Sequence, residues 1–373
     1  MQKYRNHILI AVFVLCITAP LLAMIFKLDQ SALLQENRER VKFPSLSLDK
    51  VTLRKFPHEF YGYFRDNFGF RDTFIRLNFL IRRSLLHETE FNDVLVGKNG
   101  WLFYLGEKEM DDARGITEYE EQTLKKWTAL FELKRRWLAA RGIRYLIVIV
   151  PSKATIYGEN LPTAFRTISN ITALDEFIDY DETHSGVEIL DLRPALLRAK
   201  SKERLYYKTD THWNQYGALV AYQEIMNVVS RSIPSRPPDT LADFTIERRL
   251  ENGGDLALLL GGADFFKEEH YDLIPKRARL ASRVEMNSAD PRTYAMRQDN
   301  RRLPRALVFR DSFFDEIIPF MSEHFQYIRY YRQHWDGSIP ITDVVAETHP
   351  DIVIEEFAER RIKMDIGNFI PPE

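Results

Sequence analysis

Ser312 follows a short apolar run, Ala306–Phe309, that reads as a buried strand, and it precedes a stretch of helical character. A serine at such a strand-to-helix turn can expose its hydroxyl. Its own backbone N–H and the positive end of the helix would then favour an alkoxide or an oxyanion. The position equally suits an ordinary helix cap, for which aspartate and serine are common choices. Earlier in the chain, Leu205–Asn214 (LYYKTDTHWN) holds Asp210 and His212, two residues apart, just before a helical pattern beginning near Tyr216. In extended backbone, side chains two apart point the same way. The carboxylate can therefore hold the imidazole in the tautomer that accepts a serine proton. Taken alone, Asp-x-His also fits a surface loop or a metal pair. The nine histidines show no HExxH-type spacing, so no metal site is assigned. Asp210, His212 and Ser312 together are the parts of a nucleophilic acyl-transfer site.

The elements that must position these residues follow from hydropathy patterning. Arg144–Val150 (RYLIVIV), Val187–Leu192, Ala306–Phe309, Tyr327–Tyr331 and Asp351–Glu355 are short apolar runs that read as buried strands. Helical periodicity separates them at Glu118–Arg141, where Trp127, Leu130, Leu133 and Trp137 share a face, at Tyr216–Ser230, and from Ser312 to about His324. Strands alternating with helices predict an α/β fold with a mainly parallel sheet flanked by helices. In such sheets ligands bind beyond the carboxyl ends of the strands, where Asp311-Ser312 falls. Val94–Tyr104 (VLVGKNGWLFY) predicts a hairpin around Gly-Lys-Asn-Gly. Phe56–His87 places Phe60, Phe64, Phe68, Phe74, Leu77, Leu80 and Leu85 at helical spacing, with a break near Gly69, and is expected to contribute core. Ile233–Pro238 and the arginine-rich Arg277–Arg305 are expected to be loops or an insertion, and Gly253–Leu256 a turn opening a short helix.

The amino terminus imposes a different constraint. Ile8–Phe26 is nineteen residues without a charge, enough to span a hydrocarbon core of ~30 Å. A cleaved signal peptide is the alternative, with a shorter apolar region and small residues at the cleavage site. The length and the poor Leu22-Ala23-Met24 cleavage match favour an uncleaved anchor, with Cys16 a small apolar residue inside it. Lys3 and Arg5 precede the span, whereas Lys27, Arg38, Arg40 and Lys42 follow it, so orientation is not decided by counting. The expected organisation is an anchor over residues 1–30, a tether (Asp29–Ser45) and helical segment over 31–90, and a catalytic domain over 91–373. Fifty-two basic against 54 acidic residues, a net charge of -2, give no reason to expect a nucleic-acid partner. A single cysteine excludes a disulfide framework and a cysteine-based zinc site.

The chain resembles the SGNH-hydrolase-like alginate and exopolysaccharide O-acetyltransferases. The resemblance runs from about Glu36 over most of the sequence. It rests on Tyr63–Asp72 (YFRDNFGFRD), Val96–Tyr104 (VGKNGWLFY), Val150–Tyr157 (VPSKATIY), Lys208–Trp213 (KTDTHW) and Asp311-Ser312-Phe313. In that family the Asp-x-His-Trp segment supplies Asp and His and the later Asp-Ser supplies the nucleophile. The roles fall here on Asp210, His212 and Ser312. Chain order is thus permuted relative to ordinary SGNH hydrolases, in which serine comes first. Arg310 stands where those enzymes carry glycine, and no Gly-x-Asn block supplies further oxyanion donors. The end of the chain soon after the last strand is expected to leave no C-terminal carbohydrate-binding module, as in membrane-tethered members. The resemblance implies a periplasmic catalytic domain on a single-pass inner-membrane anchor. It also implies a polysaccharide acceptor, a membrane-bound O-acyltransferase partner that supplies acetyl groups, and no cofactor.

Further polar residues are candidates for contact with sugar or acyl donor. Lys153 and Tyr157 follow a strand and either line the cleft or sit in a solvated loop. Arg310 and Trp213 flank the triad residues. Arg332, with His334 and Trp335, follows Tyr327–Tyr331, for which surface placement is expected. The leading expectation is an acetyltransferase using an acetyl-serine at Ser312. A polysaccharide acetyl esterase with the same triad is the first rival. A non-catalytic tethered scaffold of a polymer-export complex is the second.

Overall fold

The computed structural model describes residues 2–26, 28, 41–45, 50–234, 236–284, 286 and 290–362. Most of the expected tether, residues 29–40, lies outside the described residues, as do residues 46–49. The chain divides into two compact units. One holds Met1–Val94 with Asn252–Lys267, and the other holds Leu95–Glu251 with Glu268–Glu373.

In the first unit, α1 (Gln2–Phe26) is the apolar helix, and it is the one helix among the described residues that is long and apolar enough to cross a bilayer. Next come α2 (Lys50–Asn67) and α3 (Arg71–Leu85), broken at Gly69 as the sequence predicts. The break is required sterically. A Cβ on Gly69 would lie 2.1 Å from Pro20 O and 2.7 Å from Ala23 Cβ, so the α2–α3 corner rests directly on the backbone of α1. The expectation that these helices supply core fails. Only Phe79 of α3's apolar residues is buried, whereas Phe74, Leu77 and Leu85 are exposed and Phe60, Phe64 and Phe68 are half-buried. The helical pattern is real, but much of the face it creates stays exposed among the described residues.

The second unit is built on a seven-stranded sheet. Its strands are β1 (Arg144–Val150), β2 (Glu188–Asp191), β3 (Ser282–Val284), β4 (Tyr294–Arg297), β5 (Arg305–Phe309), β6 (Tyr327–Tyr331) and β7 (Ile352–Ala358). The order is β2-β1-β7-β5-β6-β4-β3. The first five are parallel, and β4 and β3 add an antiparallel edge. Side chains alternate between two cores. Leu146, Val148, Val150, Ala306, Val308, Ile352 and Ile354 face one, and Tyr145, Ile147, Ile149, Leu307, Phe309, Val353 and Phe357 face the other. Strands covered on both faces need apolar residues at every position, which is why the sequence shows continuous runs rather than alternation. The helix α4 (Glu121–Ala139) packs on the second face, and α5 (Ala173–His184) joins it. The helix α6 (Gln215–Val229), ten of its fifteen residues buried, packs on the first.

Two expectations are corrected here. The arginine-rich stretch is not all loop, because it contributes the β3 and β4 edge. The helix expected from Ser312 to His324 is instead a series of short turns, 3-10 at Phe313–Glu316, α at Ile318–Met321 and 3-10 at Ser322–His324. The strands Val94–Val96 and Leu102–Tyr104 are neighbours around the predicted turn, in which Asn99 takes a left-handed conformation. A separate antiparallel pair, Phe244–Glu251 with Glu268–Pro275, was not foreseen.

Candidate active site

The segment Leu205–Asn214 is a narrow loop pinched at its base. Tyr206 and Trp213 form an isolated bridge, Asn214 N donates to Leu205 O (2.8 Å) and Tyr207 N donates to His212 O (3.2 Å). Asn214 also caps α6, its Oδ1 accepting from Tyr216 N and Gly217 N, so loop and helix are fixed together. At the tip, Asp210 Oδ1 accepts from the backbone N of His212 at 2.9 Å and lies 2.7 Å from His212 Nδ1. A carboxylate at that distance favours the tautomer with the proton on Nδ1.

Backbone polar groups in this loop are gathered from two sides. Lys153 Nζ donates to the carbonyls of Tyr207 (3.2 Å), Lys208 (3.1 Å) and Asp210 (2.6 Å). Glu268 accepts from Lys208 N (2.7 Å), Thr209 N (3.1 Å) and the Thr209 hydroxyl. A cation collects the acceptors and an anion collects the donors, both as charge-assisted bonds. Tyr206 and Tyr157 complete the base, with Tyr206 OH donating to Pro151 O (2.6 Å) and Tyr157 OH accepting from Leu205 N (2.9 Å).

Ser312 sits just beyond the carboxyl end of β5. Its hydroxyl makes no capping bond. Asp311 takes that duty, its Oδ1 accepting from Phe313 N (2.8 Å) and its Oδ2 from Ala358 N of β7 (3.1 Å). The backbone N of Asp311 in turn donates to Glu356 Oε2 (2.8 Å). The helix-cap alternative for the Ser312 side chain thus fails. The two segments meet through aromatics. Trp213 Nε1 donates to Phe313 O at 2.9 Å, and the His212 ring lies 4.8 Å from the Phe313 ring, one residue past the serine.

The candidate contact residues are mostly committed elsewhere. Arg310 is 1% exposed and pairs with Asp315 (2.5 Å), which Arg332 also binds (2.6 Å). Lys153 is 2% exposed, so the solvated-loop alternative fails. Trp213 and Tyr157 are buried with the partners given above. Trp335, expected at the surface, is buried and accepts no solvent role; its backbone N donates to Glu355 (3.0 Å).

Three buried glutamates escaped the sequence reading. Glu268 holds the loop. Glu356 is fully buried, and burial, followed by the neighbouring Asp311 charge, pushes its carboxyl well above the usual range. Glu359 accepts from Ser152 N (2.8 Å) and Thr155 Oγ1 (2.7 Å), the turn that carries Lys153, and burial pushes it up to about 7. Two adjacent acids in IVIEEFA, an otherwise apolar strand, were a usable signal, since carboxylates are rarely buried without a partner. Glu355 faces α4 and pairs with Lys134 (2.8 Å).

Comparison with known proteins gives this arrangement a context. The model of the SGNH hydrolase-like domain of the acetyltransferase AlgX matches residues 94–292, more than half of the chain. Asp210 and His212 lie inside that match and Ser312 lies beyond it. A probable alginate O-acetylase AlgJ of Pseudomonas aeruginosa is 26% identical over 231 residues, 62% of this chain and 56% of that protein. The chain thus matches little more than half the length of that relative. The probable AlgJ of Pseudomonas putida is 27% identical over 296 residues, 74% of this chain and 73% of its own. Among solved structures, Bacillus cereus PatB1 superposes with a TM-score of 0.55 at 16% identity, over 74% of this chain and 99% of PatB1. A DHHW family protein from Eubacterium siraeum does so with 0.55 and 16%, over 74% of this chain and 94% of that protein, which establishes a shared fold. With the sheet and the family match in agreement, the chain belongs to the SGNH hydrolase-like acetyltransferase family typified by AlgX.

Proposed function

We propose that this protein is an O-acetyltransferase that carries acetyl groups on Ser312 and delivers them to hydroxyls of an exopolysaccharide such as alginate. The observation that carries the reading is the 2.7 Å contact between Asp210 and His212 Nδ1, with the imidazole seated against Phe313 beside a serine whose hydroxyl is not spent on capping. His212 Nε2 removes the Ser312 proton as Oγ attacks the acetyl carbonyl, and the imidazolium returns that proton to the donor's leaving group. The Ser312 N–H stabilises the oxyanion. A sugar hydroxyl, deprotonated by the same imidazole, then takes the acetyl group and frees the serine.

Residues 91–373 form the catalytic part in this reading, and residues 8–26 anchor it in the inner membrane with the site in the periplasm. A membrane-bound acyltransferase supplies the acetyl group, because acetyl-CoA is a cytoplasmic donor. Lys153, Tyr157, Trp213 and Arg310 act as positioning residues rather than as sugar contacts, since they are buried and bonded to the chain. Arg332, part-exposed, remains the candidate that faces a ligand.

The test is to incubate the purified protein with an activated acetyl ester, with and without oligosaccharide. Acetylated sugar, together with an acetylated peptide containing Ser312 when sugar is omitted, is the expected result. Acetate release unaffected by saccharide, with no acetylated sugar, would make the protein an esterase. Full polymer acetylation by a Ser312→Ala variant in cells would leave only a scaffold.

A further inference from the structure

We infer that α2 and α3 form a membrane-surface platform, lying in the headgroup region of an anionic bilayer beside the end of α1. This inference rests on the anchor reading of α1. Phe74, Leu77, Ile81 and Leu85 recur at three- and four-residue steps, so they form one stripe along α3. They are 48%, 46%, 52% and 72% exposed, and no described part of the chain covers them. On α2, Phe56, Phe60 and Phe64 stack in sequence, with Phe43 set edge-on against the first two. The two helices together carry eight lysines and arginines against three acids, in a chain whose net charge is -2. A soluble surface rarely shows a contiguous apolar stripe of this kind. Aromatic and aliphatic residues flanked by arginine and lysine are the composition of helices that lie in the interface plane.

The occupant is identified by what this corner touches. Gly69 packs on Pro20–Met24, and Pro20 and Ala23 are the buried positions of an otherwise exposed α1. Those residues stand two to six positions before Phe26, about 3–9 Å along the helix axis. If α1 spans the bilayer, its contact with Gly69 fixes the α2–α3 corner at the depth where interfacial helices bury their apolar faces, about 5–10 Å into the headgroup boundary. The surplus of cations matches anionic lipid, where each basic group near the surface adds attraction. A second copy of the chain or a membrane protein would explain the apolar stripe, but neither explains the surplus of cations at that depth.

Cys16, the sole cysteine and exposed on α1, makes the test internally controlled. The full chain is reconstituted in phosphatidylethanolamine–phosphatidylglycerol vesicles. A nitroxide is placed on Cys16 in one sample. In a Cys16→Ala background it is placed on Leu77→Cys, Ile81→Cys, or Glu247→Cys as an aqueous control. Oxygen and a water-soluble nickel chelate then compete as relaxing agents. The expected result is a deep signal at residue 16, and oxygen-favoured, shallower signals at 77 and 81 that move toward water in vesicles of phosphatidylcholine alone. Nickel access at 77 and 81 equal to that at 247, with residue 16 in lipid, overturns this inference and leaves the anchor standing. Water access at residue 16 removes the anchor itself. Labels at 77 and 81 shielded from both agents overturn the inference in favour of a protein covering the stripe. Depths unchanged in phosphatidylcholine overturn the part played by charge.

Discussion

The α2–α3 helices and the Leu205–Asn214 loop are both aromatic-rich, yet they end in opposite environments. In and under the loop, three large rings are tied down by a polar atom. Tyr206 donates to Pro151 O, Tyr157 accepts from Leu205 N and Trp213 donates to Phe313 O. On α3 the apolar stripe carries no such handle, and its residues are exposed. Aromatic spacing alone therefore says that a face is apolar, not what covers it. Polar handles at chosen positions help fix rings in a particular interior, because the polar atom of a buried amphipathic ring usually finds a partner.

That contrast can be broken in order of size. Ser312→Ala and His212→Ala are each expected to lower acetyl transfer at least ~1000-fold, with residual rate from binding and oxyanion stabilisation. Steady-state kinetics with an activated acetyl ester measure this, and wild-type rate in either variant ends the triad assignment. Lys153→Met strips three loop carbonyls of their donor. We expect a loss of about 3 kcal/mol in denaturant unfolding and a fall in kcat larger than any change in KM. A variant as stable as wild type would show that the loop holds itself.

The Glu359 carboxyl gives a pH signature. Its folded value of about 7 stands above the ordinary 4.5, so the folded state binds the extra proton in between. The stability it contributes is complete below about 4.5 and is lost as pH rises through about 7, some 3 kcal/mol in all. Glu359→Gln should flatten that part of the stability–pH curve, and an unchanged curve would assign the slope to another group. Trp213→Phe keeps the ring and removes the bond to Phe313 O. It should cost about 1–3 kcal/mol in thermal unfolding and about tenfold in kcat. At the small end, Leu77→Asn and Ile81→Asn should alter stability in detergent by no more than about 0.5 kcal/mol, as exposed positions do. A loss above 1 kcal/mol would mean that chain covers α3 after all.

The parts legible in sequence were those fixed by residue type or by local period. Asp210, His212 and Ser312 stood out because few side chains can form such a set, and the structure pairs the first two at 2.7 Å. The strands β1, β5, β6 and β7 were found because a sheet covered on both faces leaves continuous apolar runs. What stayed hidden depended on distant partners. Glu268 holds the histidine loop from sixty residues away, and nothing near it in sequence announces the task. Lys153 was noticed as a polar residue after a strand. Its actual bonds, to three carbonyls some fifty-five residues on, follow only from the folded register. The edge strands β3 and β4 were missed because arginine-rich sequence at a sheet edge lacks the apolar run of a central strand.

Asp311 is held by Ala358 and by Glu356, both on β7, the last strand among the described residues and the one inserted between β1 and β5. The elbow under the serine acquires its form only when the last strand slots home.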